Sequence, residues 1–160
     1  MKICLTCAAG GHLDELLTLL ETFKGHEYFF VTVPQETTKN LPKIAKTYYV
    51  RNRPKPINSW RIIDVFLLTL YYFYLLLPCM KILLKERPIV IIGFGGEATL
   101  HLSYLGKLIG AKVVYIESLA RVHTLSGTGR LVYLIADLFL VQWRYLLKKY
   151  KKAKYWGKII

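Results

Sequence analysis

The stretch Tyr115–Trp143, with the sequence YIESLARVHTLSGTGRLVYLIADLFLVQW, decides the fold of this chain of 160 residues. It starts where one apolar run, Ala111–Ile116, is ending, and it closes on a second run, Leu138–Val141. A polar loop and a helix-like segment separate the two runs, which is typical of parallel strands joined by a crossover helix. The polar residues after each run are therefore expected at the carboxyl edge of a sheet, where open α/β sheets bind ligands.

The same alternation of apolar runs and helical segments extends over the rest of the chain. Strands are predicted at 3–8, 28–33, 47–50 and 89–92, and helices at 14–23, 60–86 and 97–109. This order predicts βαβ units and a single α/β domain, residues 1–160, with a Rossmann-like parallel sheet. At 18.5 kDa the chain fits one such domain and is too short for an enzyme with two domains around a cleft.

The composition combines two properties that soluble domains rarely share. Apolar residues make up 54% of the chain, yet its net charge is +13. This combination suits the surface of an anionic membrane, where each basic side chain contributes about 1 kcal/mol. The same charge would also serve a nucleic-acid-binding module. Charge alone therefore does not choose between the two partners.

The predicted helix at 60–86 is the most apolar part of the chain. Its segment Val65–Met80 contains no charged residue, and its 16 residues cover about 24 Å, less than a hydrocarbon core of about 30 Å. Because it is apolar on all sides, the face turned away from the sheet is predicted to meet lipid or protein. We favour a helix that lies in the membrane interface, and a true span or a fully buried helix are the alternatives.

The tail at 144–160 mixes lysines with Tyr150, Tyr155 and Trp156. It is predicted to bind anionic lipid or a partner chain, with a solvated tail as the alternative.

Near the N-terminus, Cys4 and Cys7 form a C-x-x-C within a strand rather than at a helix start. Buried thiols in a reducing, cytosolic compartment are therefore expected, rather than redox chemistry.

Two glycine turns follow predicted strands, Gly10-Gly11-His12 and Gly93-Phe94-Gly95-Gly96. Glycines let a ligand approach the backbone, and the helix starts behind them offer N–H groups to an anion. The pair predicts a phosphate or diphosphate ligand, although each turn by itself is also explained as a tight connection. His12 suits a base or a phosphate ligand, with a cap or a loop hydrogen bond as the alternative.

No cofactor or metal is expected from the sequence. Neither turn spells G-x-G-x-x-G, so a dinucleotide is disfavoured. The four histidines show no ligand spacing. After the fifth predicted strand, Glu117 is an acid or an anchor for the basic loop, and an ion pair with Arg121 is its simpler explanation.

Residues of the opening stretch occur in an order that is typical of one family. They are Tyr115-Ile116-Glu117-Ser118, Arg121-Val122, Leu125-Ser126-Gly127, Leu131, Tyr133, Ala136-Asp137, Val141-Gln142-Trp143 and Leu146. With these residues and the Gly10-Gly11-His12 turn, the chain resembles the asparagine-linked glycosylation protein 14 family and its bacterial and archaeal relatives in exopolysaccharide and capsule synthesis. The resemblance extends from Met1 to Tyr150.

The resemblance implies half of a glycosyltransferase. Members supply the N-terminal, acceptor-side half of a GT-B fold like that of MurG, and a separate protein supplies the half that binds the UDP-sugar. The expected role is a membrane-associated subunit at the cytoplasmic face, inactive alone. It would recruit the donor-binding subunit and hold a lipid-diphosphate-linked sugar, with UDP-N-acetylglucosamine as the expected donor in the shared cleft.

The predicted site residues follow from the turns and from this resemblance. The expected catalytic residues are His12, as base, and Glu117, and the expected acceptor or phosphate ligands are Gly10, Gly11, Gly95, Gly96 and Arg121. Two other functions remain open at this point. One is a scaffold that only recruits the catalytic chain, and the other is the basic nucleic-acid-binding module.

Overall fold

The computed structural model describes residues 1–51 and 61–159, with the side chains of the second range from Val65 onward. The described residues form one sheet of six parallel strands in the order β3-β2-β1-β4-β5-β6. The strands are β1 Lys2–Cys7, β2 Glu27–Thr32, β3 Thr47–Tyr49, β4 Val90–Phe94, β5 Lys112–Ile116 and β6 Leu138–Leu140. Each lies within two residues of its predicted bounds, and the predicted Rossmann-like parallel sheet is confirmed.

Within the described residues, four α-helices connect these strands: α1 Gly11–Thr18, α2 Arg61–Glu86, α3 Glu97–Leu108 and α4 Gly127–Val132. The first is shorter than predicted, because an i→i−3 hydrogen bond from Leu19 N–H to the Leu16 carbonyl tightens its end. A 3-10 turn, Leu20–Phe23, then brings Phe23 into the core. Residues 52–60, which include Trp60 at the predicted start of the long helix, lie outside the described residues.

The helices cover the two faces of the sheet unequally. On one face, α1 contributes Leu13 and Leu16 to a core that includes Ile3, Leu5 and Cys7 of β1. On the other face, Cys4 of β1 packs with buried residues of α2 and α3, namely Leu75, Cys79, Leu83, Ala98, Leu102 and Leu105. Alternate residues of a strand point to opposite faces, so α1 covers one face and α2 and α3 cover the other. Val132 of α4 packs with Val113 of β5, the register partner of Ile91 in the α2–α3 core, so α4 belongs to the same layer.

The same alternation settles the cysteines. Cys4 and Cys7 belong to the cores on opposite faces of the sheet, so they do not face each other. Both are free and buried, as is Cys79, which confirms the expectation of buried thiols. Burial raises the pKa of Cys7 to about 12, and a thiol in that state is a poor nucleophile.

Helix α2 has a core face and an exposed face, both apolar. Tyr71, Leu75, Cys79 and Leu83 face the sheet and are at most 6% exposed. The residues on the opposite side are between 49% and 70% exposed, namely Phe66, Leu70, Phe73, Leu77 and Leu84. Among the described residues, Val65–Glu86 is long and apolar enough to cross a membrane by length and composition. The described residues of this chain leave one side of α2 uncovered, so the helix is not fully buried within the chain itself.

The tail packs against the open edge of β6. Lys154 forms an isolated parallel bridge with Leu140, donating its N–H to the Phe139 carbonyl and accepting the Val141 N–H. Ala153 is 7% exposed, whereas the neighbouring lysine side chains point outward. The Lys158 ammonium lies 3.9 Å from the ring centroid of Trp143. A fully solvated tail is therefore wrong, since its backbone closes the sheet edge.

Glu86 anchors the end of α2 to the amino edge of the sheet. Its buried carboxylate receives Lys2 at 2.7 Å, Lys46 at 2.6 Å and the Tyr48 hydroxyl. Burial by itself would raise the pKa of Glu86, but these partners outweigh it and lower the pKa to about 2. This carboxylate therefore contributes stability above pH 4.5, and the contribution is lost as the pH falls toward 2.

Replacing Glu86 by glutamine is expected to lower the free energy of unfolding by about 2 kcal/mol at pH 7, since Lys46 loses its counter-charge and Lys2 keeps only that of Glu27. Urea denaturation at pH 7 and pH 3 measures this. The difference between the variant and the wild type should shrink at pH 3. An equal difference at both pH values would contradict the assignment of the charged form to Glu86.

Candidate functional site

Two glycine turns meet at the carboxyl edge of the two central strands. Gly10 follows β1, and Gly95 and Gly96 follow β4, which pairs directly with β1. All three have φ between 80° and 91°, a region that favours glycine. A Cβ on Gly96 would lie 3.1 Å from the backbone nitrogen of Ala8, so the two turns are in contact. The structure therefore brings together the two turns that the sequence predicted as phosphate ligands.

His12 lies between these turns. It is the second residue of α1, and a Cβ on Gly95 would lie 3.1 Å from its Nε2 atom. Its Nδ1 atom is buried and makes no hydrogen bond within the part of the chain that the structure describes. Gly11 is exposed, and nothing lies within 4 Å of where its Cβ would be. The edge thus places the His12 imidazole, with its buried Nδ1 atom, beside the exposed backbone of Gly11.

The starts of α1 and α3 point at this same edge, and their first N–H groups are available to an anion. The Thr99 hydroxyl stabilises the backbone of the second turn by donating a hydrogen bond to the Gly95 carbonyl at 2.6 Å. Thr99 also lies 3.2 Å, hydroxyl to hydroxyl, from buried Thr6 of β1. The arrangement is chemically suited to binding a phosphate or diphosphate.

The β5–α4 loop, residues 117–126, forms the third side of the edge. Glu117 is completely buried, and its carboxylate accepts the Ser118 N–H at 3.1 Å and the Ser126 N–H at 2.9 Å. The Ser126 hydroxyl, 3.1 Å from the same carboxylate, accepts the Gly129 N–H and so caps α4. Burial raises the pKa of Glu117, and the hydrogen bonds from Ser126 and Ser118 offset part of that rise.

This geometry bears on both predicted residues of the loop. The structure uses the Glu117 carboxylate inside the loop, holding its two ends together, and its predicted catalytic role stays a prediction. Arg121 is exposed, and it forms no ion pair with Glu117 in the described parts of the chain. Its charge nevertheless lowers the pKa of Glu117. The ion pair is therefore not what explains Glu117, and Arg121 is an exposed residue of the β5–α4 loop.

Sequence reasoning missed the residues that tie this loop to the rest of the site. Glu15 of α1 accepts the Ser118 hydroxyl at 2.8 Å, a contact that no motif in the sequence indicated. Gln142, after β6, donates to Glu15 at 2.7 Å. The Thr128 hydroxyl is 3.4 Å from the Gly96 carbonyl and links the loop's far end to the second glycine turn. The only signal for Gln142 was its place in the family-like Val141-Gln142-Trp143 run.

A separate apolar cleft of about 360 Å³ lies away from the glycine turns, between the end of α1 and the tail. Its lining includes Thr18, Leu19, Leu140, Trp156 and Ile159. Among the described residues no group of three His, Cys, Asp or Glu side chains could hold a metal ion.

Solved structures place this fold in the GT-B class. The chain superposes on Acinetobacter baumannii MurG with a TM-score of 0.70 and 15% identity, over 91% of this chain and 43% of the enzyme. The Methanocaldococcus jannaschii UDP-GlcNAc 2-epimerase gives a TM-score of 0.67 and 17% identity, over 99% of this chain and 46% of the enzyme. The protein is thus a Rossmann-like domain of GT-B type that spans less than half the length of these enzymes.

The family follows from the sequence comparisons. The model of the oligosaccharide biosynthesis protein Alg14 like family matches residues 3–159, and the chain belongs to this family. The UDP-N-acetylglucosamine transferase subunit ALG14 of Yarrowia lipolytica is 29% identical over 99% of this chain and 81% of its own length. The Schizosaccharomyces pombe subunit is 30% identical over 93% and 79%, and the human subunit 24% identical over 100% and 83%.

Proposed function

We propose that this protein is the membrane-associated, acceptor-binding subunit of a two-chain UDP-sugar glycosyltransferase. The observation that carries the proposal is the carboxyl edge of the central strands. There, two glycine turns contact each other and the His12 imidazole, and the loop that follows the neighbouring strand β5 carries the exposed Arg121. Family membership supports the same role, because the curated relatives are named as transferase subunits.

The acceptor is a lipid-diphosphate-linked sugar. Gly10, Gly11, Gly95 and Gly96 present backbone N–H groups to its diphosphate, and Arg121 supplies a positive charge that forms bidentate contacts with phosphate oxygens. His12, one residue into α1, removes the proton from the attacking hydroxyl of the acceptor sugar. The donor is a UDP-sugar, UDP-N-acetylglucosamine by analogy with the named relatives.

The donor-binding wall of the cleft comes from a second chain. The solved GT-B enzymes that share this fold are more than twice as long as the part this chain matches. The proposed partner is a donor-binding subunit of the same fold type, and the apolar cleft beside Trp156 is one exposed surface on which it can dock.

Reconstitution tests this division of labour. The chain is purified with and without a candidate donor-binding subunit of GT-B fold, and both samples receive UDP-N-acetylglucosamine and a synthetic isoprenoid-diphosphate N-acetylglucosamine. Sugar transfer is expected only from the pair. Transfer by this chain alone would refute the half-enzyme, and undiminished turnover after replacement of both His12 and Arg121 would favour a pure scaffold.

The proposed membrane contact is the outer face of α2. Tyr71, Leu75 and Leu83 build the core on its other side, so α2 lies on the membrane and does not cross it. As a crossover between parallel strands, it starts at the carboxyl edge, which places Phe66 and Leu70 nearest the acceptor turns. A lipid-borne acceptor would therefore reach the site from the side. The buried free thiols of this protein suit the reducing compartment on the cytoplasmic side of the membrane.

Replacing both Phe73 and Leu77 by glutamate is expected to reduce binding to vesicles at least tenfold. Each buried apolar side chain of this size contributes about 1.5–3 kcal/mol, and 1.4 kcal/mol is a factor of ten. Cosedimentation with phosphatidylglycerol–phosphatidylcholine vesicles measures the change.

The control for this experiment is Ile44→Glu. Ile44 is also an exposed apolar residue, but it follows Leu41, which packs in the core on the α1 face. Equal loss of binding in both variants would contradict the assigned face. If the wild-type chain instead bound polynucleotide in a salt-sensitive way and ignored vesicles, the nucleic-acid-binding module would replace the membrane proposal.

A further inference from the structure

Glu15 connects α1 to the start of the β5–α4 loop. One carboxylate oxygen accepts the Ser118 hydroxyl at 2.8 Å and the Leu119 N–H at 3.2 Å. The other oxygen accepts the Gln142 amide at 2.7 Å. The Glu15 side chain thus binds Ser118 and Leu119 of the loop and Gln142, which follows β6. All three lie more than 100 positions after Glu15 in the sequence.

Gln142 is fixed as firmly as Glu15. It is 2% exposed, and its amide nitrogen donates to the Glu117 carbonyl at 3.1 Å as well as to Glu15. Its amide oxygen accepts the N–H of Ile159 in the tail at 2.8 Å. Each end of this amide has a partner of matching polarity, so its orientation is determined by the hydrogen bonds around it.

The loop segment that Glu15 holds is itself a closed turn. The Arg121 N–H donates to the Ser118 carbonyl at 2.9 Å, and the Trp143 indole donates to the Leu119 carbonyl at 2.6 Å. Because the turn is closed by its own hydrogen bond, it behaves as a unit, and its position depends on the groups that bond to Ser118 and Leu119. Glu117 bonds the Ser118 N–H and the Ser126 end of the loop, whereas Glu15 provides the bonds from α1.

Glu15 also lies three residues after His12 on the same helix, which is less than one turn. Helix α1 therefore carries the imidazole at the glycine turns and, through Glu15, grips the turn that ends in Arg121.

We propose that Glu15 and Gln142 are positioning residues that hold the Ser118–Arg121 turn, and with it the backbone of Arg121, at a fixed place relative to α1, the helix that carries His12. Neither residue touches substrate. The inference rests on the proposed function, because it assigns Arg121 to the diphosphate of the acceptor. Its physical content is that an exposed arginine binds phosphate well only when its backbone is held in place before the ligand arrives.

The test uses the reconstituted pair and the synthetic isoprenoid-diphosphate N-acetylglucosamine. Glu15→Ala is expected to raise KM for this acceptor about tenfold and to leave KM for UDP-N-acetylglucosamine within twofold. Arg121→Ala should have the same signature. In the double variant the two effects should not add, since an arginine that is no longer positioned has little left to lose. Additive effects, or an unchanged acceptor KM in Glu15→Ala, would overturn the inference.

Two further variants keep the test independent of folding. Glu15→Gln preserves the shape and one acceptor oxygen but turns a donor toward the Gln142 amide, so its acceptor KM should lie between those of the wild type and Glu15→Ala. An acceptor KM equal to the wild-type value in Glu15→Gln together with an inactive, unfolded Glu15→Ala would also overturn the inference. Glu21→Ala removes an exposed carboxylate of the following 3-10 turn and serves as control. A wild-type pair without activity would instead refute the proposed function.

Discussion

Gly129→Ala is expected to lower the free energy of unfolding by about 3 kcal/mol, which corresponds to a fall in Tm of about 10 °C for a chain of this size. A Cβ at this position would lie 2.1 Å from a carboxylate oxygen of Glu117 and 2.8 Å from the Ser126 hydroxyl. Neither group can retreat cheaply, because each is buried and hydrogen-bonded to the loop. The methyl group must therefore displace α4 or break the bonds that close the loop.

Thermal and urea denaturation of the wild type and the variant measure this effect. Gly127→Ala is the matched control, since it lies in the same helix and nothing stands within 4 Å of its Cβ position. It should change stability by no more than about 0.5 kcal/mol. If both substitutions proved equally harmless, Glu117 would not be confined as described, and its role as the anchor of the loop would be lost.

His12→Ala is expected to lower kcat of the reconstituted pair about 100-fold, within the range that a general base contributes. Stability should change little, because the Nδ1 atom has no hydrogen bond to lose within the described chain. The measurement is initial-rate kinetics at saturating UDP-sugar. His26→Ala, which removes an exposed histidine of the α1–β2 connection, should leave kcat within twofold.

Gly95→Ala probes the same site from the other turn. Its φ of 82° disfavours alanine, and the new Cβ would approach the imidazole to 3.1 Å. It should therefore also reduce kcat, with the His12 side chain displaced.

One outcome would contradict the role of His12. If the kcat of His12→Ala stayed within twofold of the wild-type value, His12 would not be the base, and Glu117 or a residue of the donor-binding chain would have to take that role.

The strands and most helices were predictable because their signals are local. Apolar runs of five or six residues, glycine turns and Pro88 mark the strands of a buried parallel sheet without any knowledge of their neighbours. The clustering of Gly10, Gly95 and Gly96 followed from topology, since β1 and β4 are adjacent and their carboxyl ends coincide.

The network around Glu15 was beyond prediction because its members are distant in sequence. Glu15 and Gln142 are separated by 127 positions, and nothing in the periodicity of either segment indicates the other. Glu117 illustrates the complementary difficulty. A carboxylate after a strand indicates a functional edge, but whether it faces solvent or the interior depends on how the following loop folds back.

The sequence by itself determined the α/β architecture, the positions of the phosphate-type turns and the excess of apolar surface on α2. These properties depend on residue type and spacing along one segment. Only the tertiary structure decided which side of α2 is free, which acid is buried inside a loop and which helix grips the Arg121 turn. Those outcomes depend on the order of strands in the sheet and on side chains that meet only after the sheet has formed.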